Sequence, residues 1–198
     1  MRFTMLRQGI AVMALVALAA CAGEGQSRGS ATPEEVARAV YHHPGPTSLT
    51  LYTVVSNNTG SGGHTALLVN GSQRVIFDPA GSFHHHEVPR RDDVLYGITP
   101  AFELGYRSMH ARPAYHVVSQ TVEVSPEVAE RALRLVEANG PVSQTRCAAA
   151  TAAVLKQLPG FEGISSTLYP VQLQKSFEQV TGVQGTRYYE DFTPPTGG

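Results

Sequence analysis

Cysteine is scarce in this chain, tryptophan is absent and neither sign of charge dominates. Of the two cysteines, one falls among the first twenty-one residues and the other at Cys147. The formal charge of −1, from 15 basic and 16 acidic residues, leaves no electrostatic footprint for nucleic acid. The longest apolar run, residues 10–20, is well short of the roughly 20 residues needed to span a hydrocarbon core. Heptads and fixed-period repeats are missing, and bias is confined to a Gly/Ser-rich stretch after residue 21 and the terminal TPPTGG. The missing tryptophan decides nothing about a sugar-binding cleft.

What is present begins with a basic head, Arg2 and Arg7, then IAVMALVALAA and Cys21. This is the layout of a secretory signal. Leu18, Ala19, Ala20 and Cys21 resemble a bacterial lipobox, which implies a signal peptide over residues 1–20 and a lipid attached to Cys21. Residues 21–32 then form a flexible tether. A lipidated Cys21 leaves Cys147 without an intramolecular disulfide partner. By analogy with lipoprotein sorting, Ala22 lacks the aspartate that retains such proteins at an inner membrane. The expected location is the outer membrane, facing the periplasm.

The remainder, residues 33–192, is long enough for one domain with a sizeable core, followed by a flexible tail over 193–198. Thr32, Pro33 and Glu35 fit a capping box, predicting a helix to about Tyr41. LTLYTVV, residues 49–55, reads as a half-buried strand. HTALLV and RVIFDP, separated by NGSQ, read as a hairpin. With Asn70, Gly71 and Ser72 as its loop, His64 falls directly opposite Asp78; a two-residue loop leaves the pair diagonal. Residues 81–113 suggest a long excursion over the surface. A strand is predicted over 115–124, a helix from Ser125 to the Asn139-Gly140-Pro141 stop, another from near Ser143 or Thr145 to Leu158, and a last one over 170–180. Strands and helices segregate in blocks, which predicts an α+β fold with a mainly antiparallel sheet.

Cys147 opens the run CAAATAAVL. A thiol in the first turn of a helix sits at the positive end of the macrodipole, which favours thiolate. The alanines that follow leave a narrow helix surface on which a sheet can pack closely. A nucleophilic thiol needs an imidazole to take its proton and a polar group to fix the imidazole's orientation. His64 and Asp78 have those residue types, and the helix-start N–H groups, with Gln144 as a further donor, suit an oxyanion. A cysteine in an alanine-rich helix is also a common core residue. His84, His85 and His86 are alternatives to Asp78 as the third residue. His84 and His86 share a face of an extended segment, yet no partner at zinc spacing accompanies them; neither a metal nor another cofactor is expected.

The pattern GHTALLV, RVIFDPAGSF and a distant RCAAATAAVL resembles the permuted papain-like thiol enzymes, a group that includes NlpC-type cell-wall amidases and lecithin:retinol acyltransferase relatives. The resemblance implies a small antiparallel sheet packed on the cysteine-bearing helix, with Cys147 as nucleophile, His64 as base and Asp78 as orienting residue. It implies a thiol hydrolase cleaving an amide, with peptidoglycan stem peptides as the substrate class. No asparagine stands beside the cysteine, unlike the acyltransferase branch. The rival expectations are a non-catalytic outer-membrane lipoprotein with a binding or scaffolding role, and a lipid acyltransferase or thioesterase.

Overall fold

The computed structural model describes residues 30–190. The expected signal peptide, the lipid site at Cys21, most of the tether and the C-terminal tail lie outside the described residues. Among the described residues no helix is long and apolar enough to cross a membrane.

The chain forms α1 (Pro33–Arg38), β1 (Ser48–Ser56), β2 (Gly62–Asn70), β3 (Arg74–Phe77), β4 (Arg90–Arg91), β5 (Val94–Leu95), α2 (Pro100–His110), β6 (Tyr115–Glu123), α3 (Pro126–Ala138), α4 (Cys147–Leu155), α5 (Pro170–Thr181) and β7 (Thr186–Tyr188). The strands make one antiparallel sheet in the order β4-β5-β3-β2-β1-β6-β7. The expected α+β class is therefore correct. The Thr32 capping box is complete, with both reciprocal hydrogen bonds formed, although α1 stops at Arg38 rather than near Tyr41.

Both faces of the sheet are covered, so β1 is buried along almost its whole length instead of half-buried. Leu49, Leu51, Leu67, Val69 and Phe77 pack with the helices α3, α4 and α5. Tyr52, Ala66, Leu68, Ile76 and Val117 pack on the other face with Phe83, Ile98 and Tyr106. The second layer comes from residues 81–113, and the expectation of a surface excursion there is wrong. Thr99 caps α2 through the Phe102 N–H, with Pro100 at its first position. The same Thr/Ser-Pro signature marks α1 and α3, so the signal for α2 was present in the sequence.

The hairpin register also differs from expectation. Asn70 pairs with Arg74 and Leu67 with Phe77, so the loop is residues 71–73 and His64 is not directly opposite Asp78. Side chains hold this register from both sides: Asn70 Nδ2 donates to the Pro46 carbonyl at 2.8 Å, and Arg74 reaches the Ile98 carbonyl and Glu103. The displacement leaves side-chain parity unchanged, because strand periodicity is two. His64 and Asp78 stay on one face, in diagonal relation.

Candidate active site

β3 ends at Phe77 because Asp78-Pro79 turns the chain away, and the β2–β3 ladder stops at the Leu67–Phe77 pair. Beyond that point the β2 edge has no strand partner on this side among the described residues. Cys147, the first residue of α4 and 7% exposed, meets that open edge, where the Thr65 backbone N–H is close enough to lower its thiol. Ala148 and Ala152 lie fully buried in the helix–sheet core, as expected of small residues that let α4 approach closely. The helix begins at Cys147, two to four residues later than predicted.

His64 Nε2 lies 2.8 Å from Asp78 Oδ1. That leaves Nδ1 for Cys147, whose thiol is close enough to shift the imidazole and be shifted by it. Asp78 is fully buried, while the His64 side chain keeps 16% of its surface exposed. Burial is the largest influence on all three groups and opposes their charges. The pairing outweighs it. Hydrogen bonds and charge from Asp78 and Cys147 raise His64 to about 9. His64, with the Thr65 and Ala148 N–H groups, brings Cys147 below the ordinary thiol value of 9.0. His64 and Tyr106 hold Asp78 below 3.8. Both shifts run towards the imidazolium–thiolate form of the pair.

α4 has no side-chain cap. Its first-turn N–H groups therefore lack intrahelical partners and stay available to the thiolate or to an oxyanion. Gln144 is exposed in the preceding loop and makes no side-chain hydrogen bond among the described residues. His84, His85 and His86 lie along the loop after Phe83, where His85 stacks on His86 and meets Phe102 at a tilt. Asp78 meets His64; those three do not.

Four residues of this region were missed from sequence. The Tyr106 hydroxyl donates to Asp78 Oδ1 at 2.6 Å, and the His110 ring stacks on His64 at 5.5 Å with planes 9° apart. Both lie on α2 at helical i, i+4 spacing, so recognising α2 would have placed them together. Arg90 and Asp93 form the other pair. Asp93 accepts the Asp78 N–H through its backbone carbonyl at 2.7 Å and the Ala80 and Val142 N–H groups through Oδ2 at 3.0 and 2.8 Å. Its Oδ1 takes Arg90 Nη2 at 2.6 Å, while Arg90 Nη1 binds the Gly81 carbonyl at 2.8 Å and lies 3.8 Å from Asp78 Oδ2. One buried carboxylate thus ties the turn after Asp78 to the loop that leads into Cys147.

The non-glycine residues with positive φ among the described residues are Ala80, Asp92 and Thr145, at 56°, 52° and 69°. Each is within two residues of Asp78, Asp93 or Cys147. Left-handed backbone at non-glycine positions costs energy and persists only where the surroundings enforce it. Gly81 is required for a different reason: a Cβ there would lie 1.8 Å from Asp78 Oδ2.

His64, Asp78 and His110 bring ligand-type atoms within 4.8 Å of one another. Asp78 Oδ1 already serves His64 and Tyr106. No family model matches the sequence, and neither a curated protein nor a solved structure matches it.

Proposed function

We propose that the protein is a thiol hydrolase that cleaves an amide through an acyl-enzyme on Cys147, in a permuted papain-like arrangement with the histidine hairpin ahead of the cysteine helix. The observation that carries this reading is the His64–Asp78 hydrogen bond beside Cys147, with thiol lowered and imidazole raised together. A thiolate at a helix start attacks the carbonyl carbon while first-turn N–H groups take the developing oxyanion. His64, held by Asp78, gives its proton to the leaving amine. It then takes a proton from the water that opens the thioester. Tyr106 and the Arg90–Asp93 pair act as positioning residues, fixing Asp78 and the approach to Cys147. With the lipobox-like segment ahead of the domain, the expected setting is the bacterial envelope, anchored through Cys21. Peptidoglycan stem peptides are the substrate class in reach.

Intact-mass spectrometry of the full chain after treatment with iodoacetamide tests the central claim. Single labelling at Cys147 at neutral pH should fall about 10²-fold or more in His64→Ala. A Cys147 that stays inert until the protein is denatured would make it a core residue and leave a tethered binding protein as the better description.

A further inference from the structure

An open groove of about 360 Å³ reaches His64 from the α2 and β6 side. Its walls include Gly63, Ser82, His110, Arg112 and Tyr115, and no residue of α4 takes part. The groove therefore meets the imidazole from the side away from the nucleophile's helix. In an amide cleavage that passes through an acyl-enzyme, the atom His64 protonates is the leaving nitrogen, within hydrogen-bond reach of the ring. Whatever is attached to that nitrogen occupies the space next to the imidazole.

The wall chemistry of that space is one-sided. Among the described residues no carboxylate lines it, and Asp78 beneath is already engaged by His64 and Tyr106. Arg112 Nε donates to the Met109 carbonyl at 2.8 Å, which anchors the guanidinium just past the end of α2. Its remaining nitrogens make no hydrogen bond among the described residues. Glu190 is close enough to sense the Arg112 charge, but it accepts the Tyr188 hydroxyl at 2.6 Å and is not part of the groove wall. Ser82 adds a hydroxyl and Tyr115 a partly exposed ring.

We infer that this groove is a leaving-group subsite for an amine that carries a carboxylate, the Arg112 guanidinium binding the carboxylate in the position it holds in an amino acid. The inference rests on the thiol-hydrolase reading and names the half of the substrate released first.

The same subsite must bind an amine that attacks the acyl-enzyme in reverse, and this allows a test without the natural substrate. Treating the full chain with p-nitrophenyl acetate forms an acetyl thioester on Cys147 and releases p-nitrophenolate. Added glycine or glycinamide then competes with water for the thioester: the amine nitrogen bonds to the carbonyl carbon, the C–S bond breaks, and the amine's proton passes to His64. The ratio of acetylated amine to acetate, compared at equal free-amine concentration, is an internal measure in each sample. Arg112 should raise the glycine-to-glycinamide ratio by roughly two- to fivefold above the ratio set by the two amines' own nucleophilicity, the range of an exposed ion pair. Arg112→Gln should lower the ratio by that factor and Arg112→Lys should keep part of it. A ratio that Arg112→Gln leaves unchanged overturns the subsite while the acyl-enzyme stands. Absence of any thioester overturns the thiol chemistry itself and the subsite with it.

Discussion

Helices α3 and α4 touch each other on one face of the sheet, yet they begin in opposite ways. α3 starts from Ser125, whose hydroxyl accepts the Val128 N–H, with Pro126 next, and it buries one side. α4 starts from Arg146 after a left-handed Thr145, has no side-chain cap, and buries Cys147, Ala148, Thr151, Ala152, Val154 and Leu155 around most of its circumference. The first start is built for local stability. The second gives up a cap that would occupy its N–H groups, and the core around it makes good the loss. A helix start with free donors is useful only beside a group that needs them. Here that group is a thiol opposite an oriented imidazole.

The comparison is broken most severely from the imidazole side. Gly81→Ala places a Cβ against the Asp78 carboxylate and forces it off His64. Iodoacetamide labelling of Cys147 should fall about 10²-fold, as on loss of an oriented base. Chemical denaturation should show a stability loss of about 1–3 kcal/mol from overpacking.

Titration comes next. The reactive imidazolium–thiolate pair exists above the lowered Cys147 value and below about 9, where His64 loses its proton. Acylation, read as kcat/KM for an ester substrate, should rise through the first and decline through the second. In linkage terms, the raised His64 contributes stability that is complete below 6.5 and disappears as pH climbs through about 9. The lowered Asp78 contributes stability that is complete above 3.8 and is lost on acidification through its folded value. Asp78→Asn should therefore flatten the acid limb of a stability–pH curve measured by thermal melting.

Giving α4 the start that α3 has is a milder change. Arg146→Asp supplies a side-chain acceptor and a negative charge at the cap, worth about 0.5–1 kcal/mol of added stability. The same carboxylate competes with the thiolate for the helix start. Labelling at pH 7 should slow several-fold, the consequence of about 1 kcal/mol of lost thiolate stabilisation. A faster reaction would show that the cap position does not govern the thiol. The reciprocal change, Ser125→Ala, should cost about 1 kcal/mol and leave Cys147 labelling unchanged.

Much of this site was legible in the residues because its parts are local. Cys147 at a helix start, His64 on a strand and Asp78 before Pro79 each carry a signal that spans a few positions. Their face was also predictable, since a slip of two residues in pairing preserves parity. The exact pairing was not, because Asn70 and Arg74 are held by Pro46, Ile98 and Glu103, all far from the turn in sequence. The segment from 81 to 113 looked polar and irregular, with Pro, Gly and three histidines. Its buried residues, Phe83, Val88, Val94, Leu95, Ile98 and Tyr106, are spread among short elements without a long period.

The sequence by itself determined the helix caps, the alternation that sets His64 and Asp78 on one face, and the small residues that let α4 sit close to the sheet, since these follow from backbone periodicity and side-chain size over short distances. Only the tertiary structure decided that Tyr106 and His110 complete the surroundings of His64 and that Asp93 joins the Asp78 turn to the Val142 loop. Those contacts close over separations of 28 and 49 residues for Tyr106–Asp78 and Val142–Asp93, and hydrogen bonds of that kind become favourable only after the sheet and its two covering layers have excluded water.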